Sequence, residues 1–244
     1  MRVDSHLQMW SLFTKDLIHY NMALDRTKND PLLGKEVHEH LVDLGVETPM
    51  VTLESDHSSR FDSIYKGVTD IMLALGLDLT DDSLKETPKR ITKMYLNEIF
   101  WGLDYENFPK ITTIENKMTY DNMLLERNIR VSSTCEHHFI PMMGVAYVAY
   151  LPDQKVIGLS KINRIVEFFS RRPQVQERLV EQIFHTLCMV LGTDNVAVLI
   201  KAEHTCVKLR GVEDTNSDTV TSKLGGSFLT SPSLRNEFFQ SIKL

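Results

Sequence analysis

Two stretches of apolar residues at helical spacing, set back to back between two pairs of strand-like segments, constrain this chain more than any other feature. In SKINRIVEFFSRR, Ile162, Ile165, Val166 and Phe169 share one face. In VQERLVEQIFHTLCMVLG the stripe is Val175, Leu179, Ile183, Leu187 and Val190, and Gly192 supplies the stop. NIRVSSTCE and GVAYVAYLP precede them; NVAVLIKAEHTCVKLRG and TVTSKLGGSF follow. All four are rich in β-branched and aromatic residues, as strands are. A ββααββ order, with strands grouped instead of alternating with helices, predicts an α+β fold with an antiparallel sheet.

The character of the chain changes near Thr112, where ITTIENKM reads as one more short strand. Before that point the pattern is helical. Leu33, Val37, Leu41 and Leu44 make one stripe, and Phe61, Ile64, Val68, Ile71, Met72 and Leu75 a second. In ETPKRITKMYLNEIF, Thr87 is the expected N-cap and Pro88 the first helical residue, with a stripe running to Ile99. SPSLRNEFFQSIKL closes the chain as a helix capped by Ser231. The expected organisation is a poorly defined extension over 1–30, a helical arm over 31–110 and a sheet domain over 111–244. Within the extension, Leu12, Phe13, Leu17 and Ile18 suit a short amphipathic helix. Met22 is an equally good start, so residues 1–21 are expected to be dispensable or not made in the cell.

Asp4, Lys15 and Asp16 interrupt every apolar run of the first twenty residues, so neither a signal peptide nor a membrane span is expected there. The three cysteines are too few and too odd for a disulfide framework, which points to a reducing, cytoplasmic compartment with free thiols. The net charge of -6 argues against broad nucleic-acid binding.

Two of those thiols carry the chemistry. Cys135 and His138 in STCEHHF have the Cys-x-x-His spacing that lets one turn present a thiolate and an imidazole to one ion. Cys206, in the later strand segment EHTC, is the third expected ligand. Three protein ligands with a position left for water is the layout of a catalytic zinc site. Cys188, on an apolar helix with no histidine beside it, belongs to the core. His204 should share a strand face with Cys206. His137 and His138 cannot both ligate from an extended segment, so one is left for proton transfer.

A second group of residues suits an anion. Ser160, Lys161 and Arg164 open a helix directly after Gly158-Leu159, where unpaired N–H groups and the helix dipole attract phosphate. Arg210, Arg90 and Lys93 could add charge. Gln176 and Glu177 begin the next helix: an acid there suits the dipole, and an amide beside a carboxylate also suits a guanine edge. Sequence barely separates these. Arg171 and Arg172 end a helix and read as surface.

Taken together, ETPKRITKMYLNEIF, GLDYENFPKIT, STCEHHFIP, VIGLSKINRIVEFFSRRPQVQERL, GTDNVAV, HTCVKLRGV and TVTSKLGG resemble GTP cyclohydrolase I over roughly residues 30–244. The resemblance implies a tunnelling fold, with an antiparallel sheet and helices on one face, and a homodecamer of two pentamers with active sites at subunit boundaries. It implies Zn2+ on Cys135, His138 and Cys206, with His137, His204 and Ser160 as proton carriers. Gln176 and Glu177 would read guanine. Ser160, Lys161, Arg164 and Arg210 would hold the triphosphate, with Arg90 and Lys93 supplied by a neighbouring subunit. GTP is the implied substrate. Two other readings compete: a different tunnelling-fold enzyme acting on a pterin or purine, against which the two cysteines speak, and a zinc-stabilised binding protein without catalysis, against which the spare histidines and Glu177 speak.

Overall fold

The computed structural model describes residues 25–51 and 57–242. The helix expected around Leu12 and Ile18 lies outside them. Helix α1 spans Pro31–Asp43, with Asp30 capping the Leu33 amide and Val37 and Leu41 buried. Helix α2 spans His57–Ala74 and buries only Val68 and Met72. Helix α3, Thr87–Met94, begins one residue earlier than expected. Glu86 stands at the cap position in helical geometry, and Thr87 is already helical. The cause is a preceding turn: the Thr87 amide donates to Leu84 O, so no extended residue enters the helix. The expected stripe to Ile99 continues not as α-helix but as a π-turn over Tyr95–Ile99. Such turns occur often at functional sites.

The strands begin with β1 (Thr113–Glu115), β2 (Leu124–Cys135), β3 (Pro141–Tyr150) and β4 (Lys155–Ile157). The chain continues with α4 (Leu159–Ser170), β5 (Pro173–Gln174), α5 (Gln176–Leu191) and β6 (Val196–His204). A single helical turn α6 (Thr205–Lys208), β7 (Thr219–Leu224), α7 (Gly226–Thr230) and α8 (Pro232–Ile242) complete it. The main sheet has the order β5-β2-β3-β6-β7, and β1 pairs with β4 in a separate ribbon. All main-sheet pairs are antiparallel except the short β5, which runs parallel to β2.

Alternation along β3 and β6 explains the layering. Ala146, Val148, Tyr150, Val196, Val198 and Ile200 point to one face, where the stripes of α4 and α5 cover them. Val37 and Leu41 of α1 join the same core, so the first helix packs against the helices that cover the sheet. Tyr147, Ala149, Ala197 and Leu199 point the other way and meet Phe228, Phe238 and Ile242. The long helices α4 and α5 lie on one face, as expected, but the second face is not left bare: its apolar residues Tyr147, Ala149, Ala197 and Leu199 are covered by α7 and α8. Gly192 adopts the left-handed geometry that ends α5, as its sequence position predicts.

Candidate active site

The end of β2, the turn after it, the start of α5 and the end of β6 meet at one place. The turn 136–138 follows β2 directly, and Phe139 takes a positive φ of 54°, a strained conformation for an aromatic residue. That kink lets Ile140 O accept from the Cys135 amide and Cys135 O accept from the Phe139 amide, closing a tight loop. Phe139 rests on Phe100, at 5.4 Å between ring centres, and Phe100 stacks on Tyr95 of the π-turn.

Cys135, His138 and Cys206 come together with their ligand atoms all within 4.8 Å of one another. Cys135 is buried, Cys206 half-buried and His138 exposed, so the cluster opens to solvent on one side. Cys206 does not sit in a strand as expected. β6 ends at His204, and Cys206 lies on the turn α6. Its convergence with Cys135 comes from that turn, not from strand alternation. Burial raises the Cys206 thiol pKa, and the Cys135 sulfur beside it raises it further. Two sulfurs this close cannot both ionise cheaply without a cation between them, so the donor set fits a metal ion.

The two spare histidines occupy different settings. His137 is exposed, with Nδ1 3.8 Å from Cys135 Sγ and Nε2 3.8 Å from Glu136 Oε1. His204 is half-buried, and burial lowers its pKa while Glu177 opposes the shift. Glu203, its strand neighbour, is exposed and pairs with Lys208 at 2.9 Å. Glu177 is exposed. Gln176, in contrast, is 1% exposed and its amide is directed into the protein. The Arg210 guanidinium donates to His138 Nε2 at 2.7 Å, which puts a cation at the rim of the metal cluster.

One contact had no signal in the sequence. Arg178 Nη1 donates to Glu136 Oε2 at 2.5 Å, tying the first turn of α5 to the ligand-bearing turn.

Ser160, Lys161 and Arg164 are not brought to this place. Thr134 and Cys135 pair with Pro173 and Gln174, so it is the C-terminal end of α4 that lies beside the metal cluster. Ser160 is the second residue of that helix, roughly 15 Å along its axis from Ser170 at the other end. Asn163 bonds Glu126, on β2 far from Cys135. There Lys161 has its pKa lowered by desolvation, then by the nearby charges of Arg164 and Lys110. Arg90 and Lys93 lie on α3, Arg90 exposed and Lys93 half-buried.

A family model described as GTP cyclohydrolase I matches residues 64–243. The chain belongs to the GTP cyclohydrolase I family. A GTP cyclohydrolase 1 of Yersinia enterocolitica is 56% identical over 214 residues, covering 86% of this chain and 97% of that relative. The GTP cyclohydrolase 1 of Enterobacter sp. strain 638 is 56% identical over 218 residues, with 87% and 98% covered. That of Erwinia tasmaniensis is 57% identical over 209 residues, with 85% and 95% covered. The tunnelling fold implied by the sequence agrees with membership of the GTP cyclohydrolase I family and with the antiparallel sheet. Among the described residues no helix is long and apolar enough to cross a membrane.

Proposed function

We propose that this chain converts GTP to 7,8-dihydroneopterin triphosphate with release of formate, holding a zinc ion on Cys135, His138 and Cys206. The observation that carries this reading is the convergence of two thiols and an imidazole beside two histidines that are not needed as ligands, in a chain of this family. Zinc bound there supplies Lewis acidity toward a water nucleophile. The chain's own groups do the rest. Glu177, exposed at the start of α5, accepts from the guanine N1–H and exocyclic amine. His204 moves a proton at N7 as the five-membered ring opens, and C8 leaves as formate. His137 and Ser160 carry protons during the later ribose rearrangement and ring closure. Arg210, Lys161 and Arg164 fix the triphosphate, with Arg90 and Lys93, and positioning of this kind supplies much of the rate.

Incubation with GTP, followed by oxidation and pterin fluorescence, tests the activity; absence of both fluorescence and formate would reject it. His204→Ala is expected to retain zinc and lose turnover by roughly 10²–10⁴-fold, the range for a removed acid–base group. Loss of the metal in that variant would make His204 a ligand instead.

The placement of Lys161 and Arg164 far from Cys135 in one chain supports a site shared between copies, in a homo-oligomer that the resemblance makes a decamer. Mixed oligomers test this. A metal-deficient Cys206→Ser chain and a Lys161→Ala/Arg164→Ala chain should each be inactive alone. Randomly exchanged at equal amounts, they should recover up to about a quarter of full activity, because a quarter of the shared sites draw both halves intact. No recovery in oligomers shown to be mixed would place both groups of residues in one protomer. The net charge of -6 agrees with a small-molecule substrate rather than nucleic acid, and cytoplasmic residence is the compartment we assign.

A further inference from the structure

We infer that Gln176 is a positioning residue for His204, fixing which ring nitrogen faces the substrate. The inference rests on the reading of His204 as the proton-transfer group. Gln176 is the first residue of α5 and is 1% exposed. Its Nε2 lies 3.0 Å from Ile200 O, 3.0 Å from Thr219 O and 3.1 Å from Thr221 Oγ1. Backbone carbonyls can only accept, so the amide nitrogen must be the atom that meets them. A flipped amide would set oxygen against two carbonyl oxygens in a buried place. The orientation of Oε1 is thereby decided, and it lies 2.8 Å from His204 Nε2.

An amide oxygen can only accept, so His204 Nε2 must carry the hydrogen. The neutral ring then has its lone pair at Nδ1, the one ring atom left to exchange a proton with a bound purine. The carbonyls that impose this belong to β6 and to β7, strands paired as Ile200 with Thr221. The sheet itself therefore holds the amide, and the amide holds the ring. Holding an imidazole in one tautomer is a recognised determinant of turnover, and loss of the partner that does so can cost on the order of 10⁴ in kcat.

Two measurements test this. In the zinc-loaded wild-type enzyme labelled with ¹⁵N-histidine, the His204 resonances, assigned by difference with His204→Asn, should report hydrogen on Nε2 and none on Nδ1 of the neutral ring. Hydrogen on Nδ1 would overturn the inference without any variant being made. Gln176→Met keeps the length of the side chain and removes both hydrogen-bonding ends. In it, kcat should fall by roughly 10²-fold or more while KM for GTP stays within about threefold and zinc content is unchanged, the pattern of a group lost from the transition state alone. Unchanged kcat with a raised KM would make Gln176 a substrate contact and sink the inference. If His204→Ala itself retains full turnover, the reading beneath has failed, and the kinetic part of the inference falls with it.

Discussion

Replacing Cys206 with serine is expected to abolish bound zinc and formate release together, with turnover down by more than about 10³-fold. The serine hydroxyl stays protonated at neutral pH and is a poor zinc donor, whereas the thiol ionises on binding the metal. Within the cluster the three donors are mutually close, with Cys135 buried and the side nearest His138 open to solvent. Removing one leaves two ligands, below the number that a catalytic zinc site needs. Cys188→Ser is the matched control. That thiol lies on α5 among core residues, and burial pushes it up to about 12, so it is not poised to ionise. The control should keep its zinc and its activity. Metal content by elemental analysis and formate release per protomer check both variants. Formate release by a zinc-free Cys206→Ser protein would refute the metal site.

What the sequence revealed and what it concealed divide along physical lines. The stripes of α4 and α5 were legible because Ile162, Ile165, Val166, Leu179, Ile183 and Leu187 follow the helical period and are all fully buried. Cys135 and His138 were legible because short spacing carries its own geometry. Cys206 was assigned rightly to the cluster but wrongly to a strand: β6 ends at His204, and a single turn carries the cysteine. The burial of Gln176 could not be read, since its partners Ile200, Thr219 and Thr221 are backbone and side-chain groups 24 to 45 residues away. Arg172 is the plainest correction. Charges at a helix end normally face solvent, yet Arg172 is 0% exposed. Its partner Glu47 is 125 residues away, at the edge of a polar linker with no periodicity to mark it.

That pair carries the largest stability prediction. Arg172 Nη1 donates to Glu47 Oε1 at 3.0 Å, and Nη2 donates to Gly102 O. The Glu47 carboxylate also accepts from the Tyr105 hydroxyl and the Thr48 amide. The guanidinium carbon sits 5.1 Å from the centre of the Tyr105 ring and 4.9 Å from those of Phe168 and Phe169. Burial pushes the Tyr105 hydroxyl well above its ordinary pKa, so it donates and does not ionise. The charge is therefore compensated by one carboxylate and by ring faces, with the guanidinium closed off from bulk solvent. Arg172→Met should destabilise the folded chain by about 3–5 kcal/mol, because it strands the buried Glu47 charge. Glu47→Gln should cost a similar amount by stranding the guanidinium. The double variant should cost less than the sum of the two, by roughly 1–3 kcal/mol, since neither charge is then left alone. By comparison, breaking the exposed Lys66–Asp70 pair should cost no more than about 0.5 kcal/mol. The cluster also bears on the site. Arg172 leads into Pro173 and Gln174, which pair with Thr134 and Cys135, and Arg172 O accepts from Ser133 Oγ. Loosening it should weaken zinc binding as well as lower stability. Urea unfolding at fixed protomer concentration, with zinc titrations of each variant, measures both effects. An Arg172→Met protein within about 0.5 kcal/mol of wild type, the range of ordinary surface changes, would show that the buried ion pair does not hold the arm to the sheet.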